Sequence, residues 1–115
     1  MYHRLDGKLV AVGSLDILYN VVNSGYFIYD PEFKFLSLGV VGAIREIEFI
    51  RKMRLTSQGY KWYVLGDMVS VCPKVNYKLQ YQPGYILCPR TKKELLYNSV
   101  AHTVTHLSQL PIASK

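Results

Sequence analysis

The chain of 115 residues has room for one domain or part of one, and its 50% hydrophobic and 19% charged residues favour a packed core and exclude a disordered chain. The formal net charge of +6 and a sequence pI near 9.4 indicate a polyanionic partner such as nucleic acid, although charge that serves only solubility would look the same. No apolar run approaches the roughly 20 residues that span a bilayer, and the N-terminus lacks a signal-peptide pattern. We therefore predict a cytoplasmic protein, with the nucleus as a second location and no membrane partner.

Two β-strands open the predicted fold. Asp6-Gly7 supplies a turn, and the β-branched run from Lys8 to Ile17 follows it. Val21 to Tyr29 carries the aromatic and β-branched residues of a second strand, with Gly25 as a bulge or a point of close approach. Proline cannot donate to a sheet ladder, so Asp30-Pro31 ends this strand. The spacing predicts an antiparallel pair.

A helix is predicted from Ser37 or Leu38 to about Arg54, after a short loop. Ser37 is a plausible N-cap, and the cations near the far end complement the helix dipole. Residues that recur at three- and four-residue steps predict the stripe that faces the core. These residues are Val40, Ala43, Ile44, Ile47, Ile50 and Met53.

The segment from Tyr60 to Val71 predicts a further strand, with an interruption at Gly66 as an alternative, joined in parallel through the helix crossover. A loop and a short extended piece then reach Pro89, and Leu95 to Leu107 predicts a C-terminal amphipathic helix. We divide the chain into residues 1–90 and a helix and tail at 91–115. The order of elements is an α/β (α+β) fold that resembles the later half of a GNAT-type acyltransferase domain.

The cysteines and histidines have a weak zinc-finger order that we do not favour. Cys72 and Cys88 are sixteen positions apart, whereas a zinc knuckle needs about two to four intervening residues. His102 and His106 lie four apart on a polar helix, where histidines are usually only solvated. We predict free thiols, no metal site and no cofactor.

The chain resembles the C-terminal part of the arginyl-tRNA–protein transferases, in several separated motifs that keep one order from about residue 5 to residue 90. The first group of motifs is Asp6-Gly7-Lys8-Leu9-Val10-Ala11-Val12-Gly13, Leu15-Asp16-Ile17-Leu18, Tyr29-Asp30-Pro31, Phe35-Leu36-Ser37-Leu38-Gly39 and Arg45-Glu46-Ile47. The second group is Cys72-Pro73-Lys74, Tyr77-Lys78, Gln80-Tyr81, Pro83 and Leu87-Cys88-Pro89.

The amino-acid sequence departs from the family pattern at a few positions. Tyr19 stands where the family tends to have proline, Val40-Val41 replaces an aromatic residue, and Val75 replaces a methionine. The family's N-terminal region, which holds an iron–sulfur cluster in eukaryotic members, has no counterpart here. The resemblance therefore also implies that an N-terminal segment is missing.

The resemblance implies aminoacyl transfer from arginyl-tRNA to the N-terminal α-amine of proteins that begin with Asp or Glu, which marks them for ubiquitin-dependent degradation through the N-end rule. Asp16 and Asp30 are the catalytic candidates, because a carboxylate matches the planar guanidinium of arginine; Asp30 can alternatively orient the amine. Their structural alternatives are an edge-strand charge for Asp16 and an Asp-Pro turn for Asp30. Candidates for substrate and tRNA binding are Tyr29, Ser37, Gly39, Lys74, Tyr77 and Lys78.

Two other function classes stay open at this point. An inactive remnant that binds RNA or protein would keep the same charge and tyrosines, several of which lie among cations between Lys74 and Tyr85. An acetyl-CoA acyltransferase would need a glycine-rich, basic pyrophosphate loop at the start of the helix, and Phe35-Leu36-Ser37-Leu38-Gly39 does not supply one.

Overall fold

A computed structural model of the chain describes residues 1–57, 59–69, 72–88 and 90–99. The chain divides after Gly66 into two units, of which the first is Met1–Gly66. The first unit is a four-stranded sheet with one long helix, and the second holds short helices and a small hairpin. The mixed sheet with helices confirms the predicted α/β class, whereas kinship with GNAT-type enzymes stays a prediction. None of the described helices is long and apolar enough to cross a membrane.

The sheet of the first unit has the order β1-β2-β3-β4, formed by β1 (Tyr2–Leu5), β2 (Lys8–Ile17), β3 (Val21–Tyr29) and β4 (Trp62–Val64). The bounds of β2 and β3 and their antiparallel pairing are confirmed. Strand β1 was not predicted from the sequence. It is joined to β2 by the predicted turn at Asp6 and Gly7, which have the positive φ values that a tight hairpin turn requires. The predicted bulge is confirmed, because Gly25 and Tyr26 together lie opposite Ser14.

Strand β4 is much shorter than predicted. It pairs in parallel with β3 through three residues only, from Val21↔Trp62 to Asn23↔Val64. The prediction of one strand to Val71 is wrong for residues 65–69, whereas the alternative of an interruption at Gly66 agrees with the positive φ of 73° at that residue. Ser70 and Val71 lie outside the described residues.

A 3₁₀ helix, Pro31–Leu36, and then helix α1, Leu38–Thr56, occupy the stretch after β3. The predicted start of α1 is confirmed, but Ser37 does not cap it with its side chain. Ser37 has a left-handed backbone (φ 50°, ψ 47°) where the two helices join, and its carbonyl oxygen instead accepts from the N–H groups of Val40 and Val41.

The face of α1 that packs on the sheet is only partly the predicted stripe. Ala43 and Ile50 are buried, whereas Val40 and Ile44 are almost half exposed. Gly42 and Glu46 take the buried positions instead. The buried face thus includes a glycine that lies against the Phe27 ring and a glutamate, and a rule that counts only apolar residues selects neither.

The second unit contains α2 (Pro73–Asn76), a 3₁₀ helix (Tyr77–Gln80), and β5 (Tyr85–Leu87) paired antiparallel with β6 (Glu94–Leu96). The predicted C-terminal helix is wrong at its start, because Leu95 and Leu96 belong to β6; from Val100 onwards it lies outside the described residues. The predicted boundary after residue 90 stays a prediction.

Candidate functional site

Charged side chains gather at the C-terminal end of β3. Asp30 follows the strand, and its Oδ1 accepts from the N–H of Glu32 at 3.1 Å, which caps the 3₁₀ helix. Lys8 Nζ lies 3.6 Å from Asp30 Oδ2 and 3.6 Å from Glu32 Oε2, and 4.8 Å from the centre of the Phe33 ring. The Asp30 side chain remains 30% exposed. Its carboxylate is therefore both held in place and partly open to solvent, so the Asp-Pro turn is observed and a site role stays a prediction.

The core directly beneath this end of the strand is apolar. Val10, Ala11 and Leu38 are buried there, with Phe27 and Phe33 packed against them. The ring of Tyr29 lies 6.4 Å from that of Phe27 and is 39% exposed. This packing fixes the backbone that presents Tyr29 and Asp30.

The other predicted carboxylate lies at the opposite end of the hairpin. Asp16 is opposite Asn23, and its Oδ2 accepts from Asn23 Nδ2 at 3.2 Å in an exposed position. Asp30 donates its N–H to Val10, six residues before Asp16 on β2. At about 3.3 Å per residue the two carboxylates are therefore roughly 20 Å apart along the sheet. The structure does not bring Asp16 and Asp30 into one site.

The N-terminus of α1 begins after the six-residue 3₁₀ helix that follows Asp30. Ser37 and Gly39 are both exposed there. A Cβ atom added to Gly39 would meet nothing within 4 Å, so packing in this chain does not require a glycine at that position. Val40 and Val41 already donate to Ser37, so a ligand at this end of α1 would use the N–H groups that precede them in the first turn.

The remaining predicted residues belong to the second unit. Lys74 lies on α2 and is exposed. Tyr77 and Lys78 lie on the following 3₁₀ helix, where the Tyr77 ring makes an edge contact with Tyr81 at 6.4 Å. Lys78 Nζ donates to the carbonyl oxygen of Asp67 at 2.7 Å. An ammonium group has three hydrogens, so this bond leaves Lys78 able to donate to a phosphate.

A buried polar cluster under α1 was missed by the sequence analysis. Glu46 is 1% exposed, and its Oε2 accepts from the hydroxyl of Tyr63 at 2.6 Å, which joins α1 to β4. Its Oε1 would lie 2.9 Å from a Cβ atom on Gly13, so the glycine makes room for the carboxylate. Glu46 stands in the motif Arg45-Glu46-Ile47, which is the one signal that pointed to it.

His3 belongs to the same buried region. It is 4% exposed, its ring meets Phe27 edge-on at 5.3 Å, and Nε2 has no hydrogen-bond partner among the described residues. Burial lowers the pKa of His3 below the ordinary value of 6.5, and the charge of Arg45 lowers it further, while that of Glu46 raises it. The side chains of His3 and Glu46 are closed to solvent, so their role in the described fold is packing between the sheet and α1.

The described residues offer no metal site. They contain no group of three His, Cys, Asp or Glu side chains placed to hold an ion. Cys72 and Cys88 are free thiols, as predicted, and His102 and His106 lie outside the described part of the chain.

Comparison with known proteins gives a consistent answer. The family profile described as "Arginine-tRNA-protein transferase, C terminus" matches residues 1–88. The chain is 48% identical over 92 residues to arginyl-tRNA–protein transferase 1 of Dictyostelium discoideum, covering 80% of this chain and 15% of the relative. It is 47% identical over 87 residues to the protein of that name in Drosophila melanogaster, covering 76% and 18%.

A bacterial relative extends the comparison. An aspartate/glutamate leucyltransferase of Campylobacter jejuni is 38% identical over 96 residues, covering 84% of this chain and 37% of the relative. The chain thus spans less than a fifth of the length of the two arginyltransferases above. Because the family profile covers most of the chain, the protein belongs to the arginyl-tRNA–protein transferase family, through the C-terminal domain of those enzymes.

Proposed function

We propose that this chain is the C-terminal segment of an arginyltransferase, which moves arginine from arginyl-tRNA to the N-terminal α-amine of acceptor proteins. The family match over residues 1–88 is the observation that carries the proposal. We also propose that its acceptors begin with Asp or Glu and are later degraded through the N-end rule, as the resemblance implies. The name of the Campylobacter relative, an aspartate/glutamate leucyltransferase, supports this choice of acceptors.

The reaction needs alignment more than activation. The neutral α-amine attacks the carbonyl carbon of the aminoacyl ester, the new C–N bond forms, and the C–O bond to the tRNA 3′ oxygen breaks. A proton from the amine goes to that departing oxygen. Because the ester is already activated, positioning of the reactants can supply about 7–11 kcal/mol of the barrier reduction.

Asp30 is the residue that we propose at the reacting end. Its exposed, fixed carboxylate can pair with the arginyl guanidinium or orient the incoming amine. Tyr29 lies beside it with part of its ring open to solvent. Asp16 is too far along the sheet to share this site, so we propose no role for Asp16 at the reacting end.

We propose that the tRNA contacts two places. Ser37 and Gly39 at the N-terminus of α1 suit the 3′-terminal phosphates, because the first N–H groups of a helix favour an anion and nothing fills the space at Gly39. Lys74, Tyr77 and Lys78 suit the acceptor stem, since lysines neutralise phosphates and an exposed tyrosine can stack on an unpaired base.

A chimaera tests the proposal without requiring that this chain works alone. The matching region of the Dictyostelium enzyme is replaced by this chain, and transfer of labelled arginine from arginyl-tRNA to a peptide beginning with Asp is measured. We expect transfer with arginyl-tRNA and far less with leucyl-tRNA. A folded chimaera that transfers neither amino acid, while the unaltered Dictyostelium enzyme is active, would contradict the proposal.

A further inference from the structure

Among the residues that the structure describes, strand β3 has an unpaired edge along most of its length, called the open edge below. On one side it pairs with β2 through to Tyr29↔Ala11. On the other side β4 covers only Val21 to Asn23, and no described residue pairs with Ser24 to Tyr29. Six residues at about 3.3 Å each give an open edge of roughly 20 Å.

The hydrogen-bond pattern identifies which backbone groups this edge presents. Gly13 lies opposite Phe27, but its N–H donates to Met1 at 2.8 Å and its carbonyl oxygen accepts from Met1 at 2.6 Å. Gly13 therefore faces β1, and the N–H and C=O of Phe27 face away from β2. Hydrogen-bonded pairs alternate in an antiparallel ladder. Because Asp30 donates to Val10, Tyr29 also faces the open edge, whereas Ile28 faces β2.

The surroundings of this edge suit a polypeptide. Tyr26 is 78% exposed and Ile28 is 70% exposed, so large side chains flank the open backbone groups. The edge ends at Asp30, where the carboxylates of Asp30 and Glu32 share the single ammonium of Lys8, 3.6 Å from each. The cluster therefore keeps one negative charge in excess, which favours a further positive charge. An unpaired strand edge that carries apolar side chains binds an added strand through main-chain hydrogen bonds.

We propose that this edge binds the first residues of the acceptor protein in extended conformation, as a strand added antiparallel to β3. The inference rests on the proposed function, because the acceptor's α-amine must reach the reacting end at Asp30. With the amine there, the acceptor chain runs back along Tyr29 and Phe27 and leaves the sheet before β4.

Amide hydrogen exchange measured by NMR tests the proposal on the 115-residue chain. The probe is a seven-residue peptide with a free N-terminus that begins with Asp. At saturating peptide we expect exchange of the Phe27 and Tyr29 amides to slow at least tenfold. Exchange of Ile28, which already bonds to β2, is the internal control and should change little. Unchanged exchange at Phe27 and Tyr29 would overturn the inference.

Modified peptides separate an acceptor site from a generic sheet edge. Successive N–H groups of a strand point to opposite sides, so N-methylation of residue 2 or of residue 3 should weaken binding at least tenfold in one case and little in the other. If both methylated peptides bind with the same affinity, the peptide does not bind as an added strand. If an N-acetylated peptide binds as tightly as the peptide with a free N-terminus, the edge is not the acceptor site.

Combined with the hydrogen-exchange measurement, the transfer assay shows whether the added strand or the proposed function has failed. If the chimaera arginylates the unmodified peptide while Phe27 and Tyr29 stay unprotected, the added strand is wrong and the proposed function stands. If the peptide protects those amides but no arginine is transferred, the proposed function fails and the peptide site remains.

Discussion

Gly39 and Gly42 lie almost one turn apart on α1, and their surroundings predict opposite results for the same substitution. A Cβ atom on Gly42 would overlap the Phe27 ring, 2.6 Å from Cζ, whereas one on Gly39 would meet nothing. Overpacking costs about 1–3 kcal/mol, and alanine regains up to about 1 kcal/mol in a helix. We therefore expect Gly42→Ala to lower the free energy of unfolding in urea and Gly39→Ala to maintain or raise it.

The same pair separates packing from function. If the space at Gly39 serves the tRNA end, Gly39→Ala lowers transfer in the chimaera although the protein is no less stable. Equal stability of Gly42→Ala and the unsubstituted chain would contradict the close contact between α1 and Phe27.

The buried carboxylate of Glu46 depends on the hydroxyl of Tyr63. Tyr63→Phe removes a 2.6 Å hydrogen bond to a carboxylate that is 1% exposed, so we expect a loss of about 1–3 kcal/mol in the free energy of unfolding. Tyr19→Phe is the matched control, because Tyr19 is 94% exposed. A Tyr63→Phe chain as stable as the control would show that the bond does not hold α1 against β4.

His3 gives the fold a pH dependence of known sign. Its pKa in the folded chain lies below 6.5, chiefly because of burial and then because of Arg45, with the N-terminal ammonium acting in the same direction and Glu46 against it. As the pH falls, His3 therefore binds a proton at a higher pH in the unfolded chain than in the folded chain. Stability is fully present above about pH 6.5 and falls as pH drops toward the lowered pKa. Urea titrations between pH 5 and 7.5 should show this slope, and His3→Gln should flatten it; equal slopes would contradict the assignment.

At the scale of elements, the sequence predicts what periodicity controls. The bounds of β2 and β3 and the first residue of α1 were predicted correctly, because each has a clear local signal in the sequence. Strand β1 has only four residues, and β4 depends on pairing with β3 at a distant point of the chain. Leu95 and Leu96 fit a helical stripe but pair with Ile86 and Tyr85 in a hairpin, where tertiary pairing outweighs local preference.

The short helices of the second unit carry the prediction for tRNA. We expect Lys74→Ala and Lys78→Ala each to weaken binding of arginyl-tRNA and to reduce the slope of log affinity against log salt by about 0.7–0.9, the value for one phosphate contact. Lys52→Ala, at an exposed position on α1, is the control for loss of general charge. Unchanged affinity and unchanged slope in both variants would remove these lysines from the interface.

For the molecule as a whole, the sequence predicted the family and the residue at which β3 ends. It did not predict the distances between the candidate site residues. Asp16 and Asp30 stand in adjacent motifs, yet the antiparallel hairpin places them at opposite ends. The burial of Glu46 was not predicted, because apolar periodicity cannot show that Gly13 leaves space for its carboxylate and that Tyr63 donates a hydrogen bond to it. Motifs therefore identify the class of protein, while pairing register decides which motif residues can act together.

We expect the C-terminal end of β3, and not the hairpin-turn end, to be the reacting end. The rate of arginine transfer at limiting arginyl-tRNA, compared between Asp30→Asn and Asp16→Asn in the Dictyostelium chimaera, distinguishes the two ends. Loss of a hydrogen bond to a charged group costs about 1.5–3 kcal/mol, so Asp30→Asn should slow transfer roughly 10- to 100-fold. Asp16→Asn should leave the rate within about twofold, because its carboxylate lies about 20 Å away. A large loss in Asp16→Asn with normal transfer in Asp30→Asn would contradict the account.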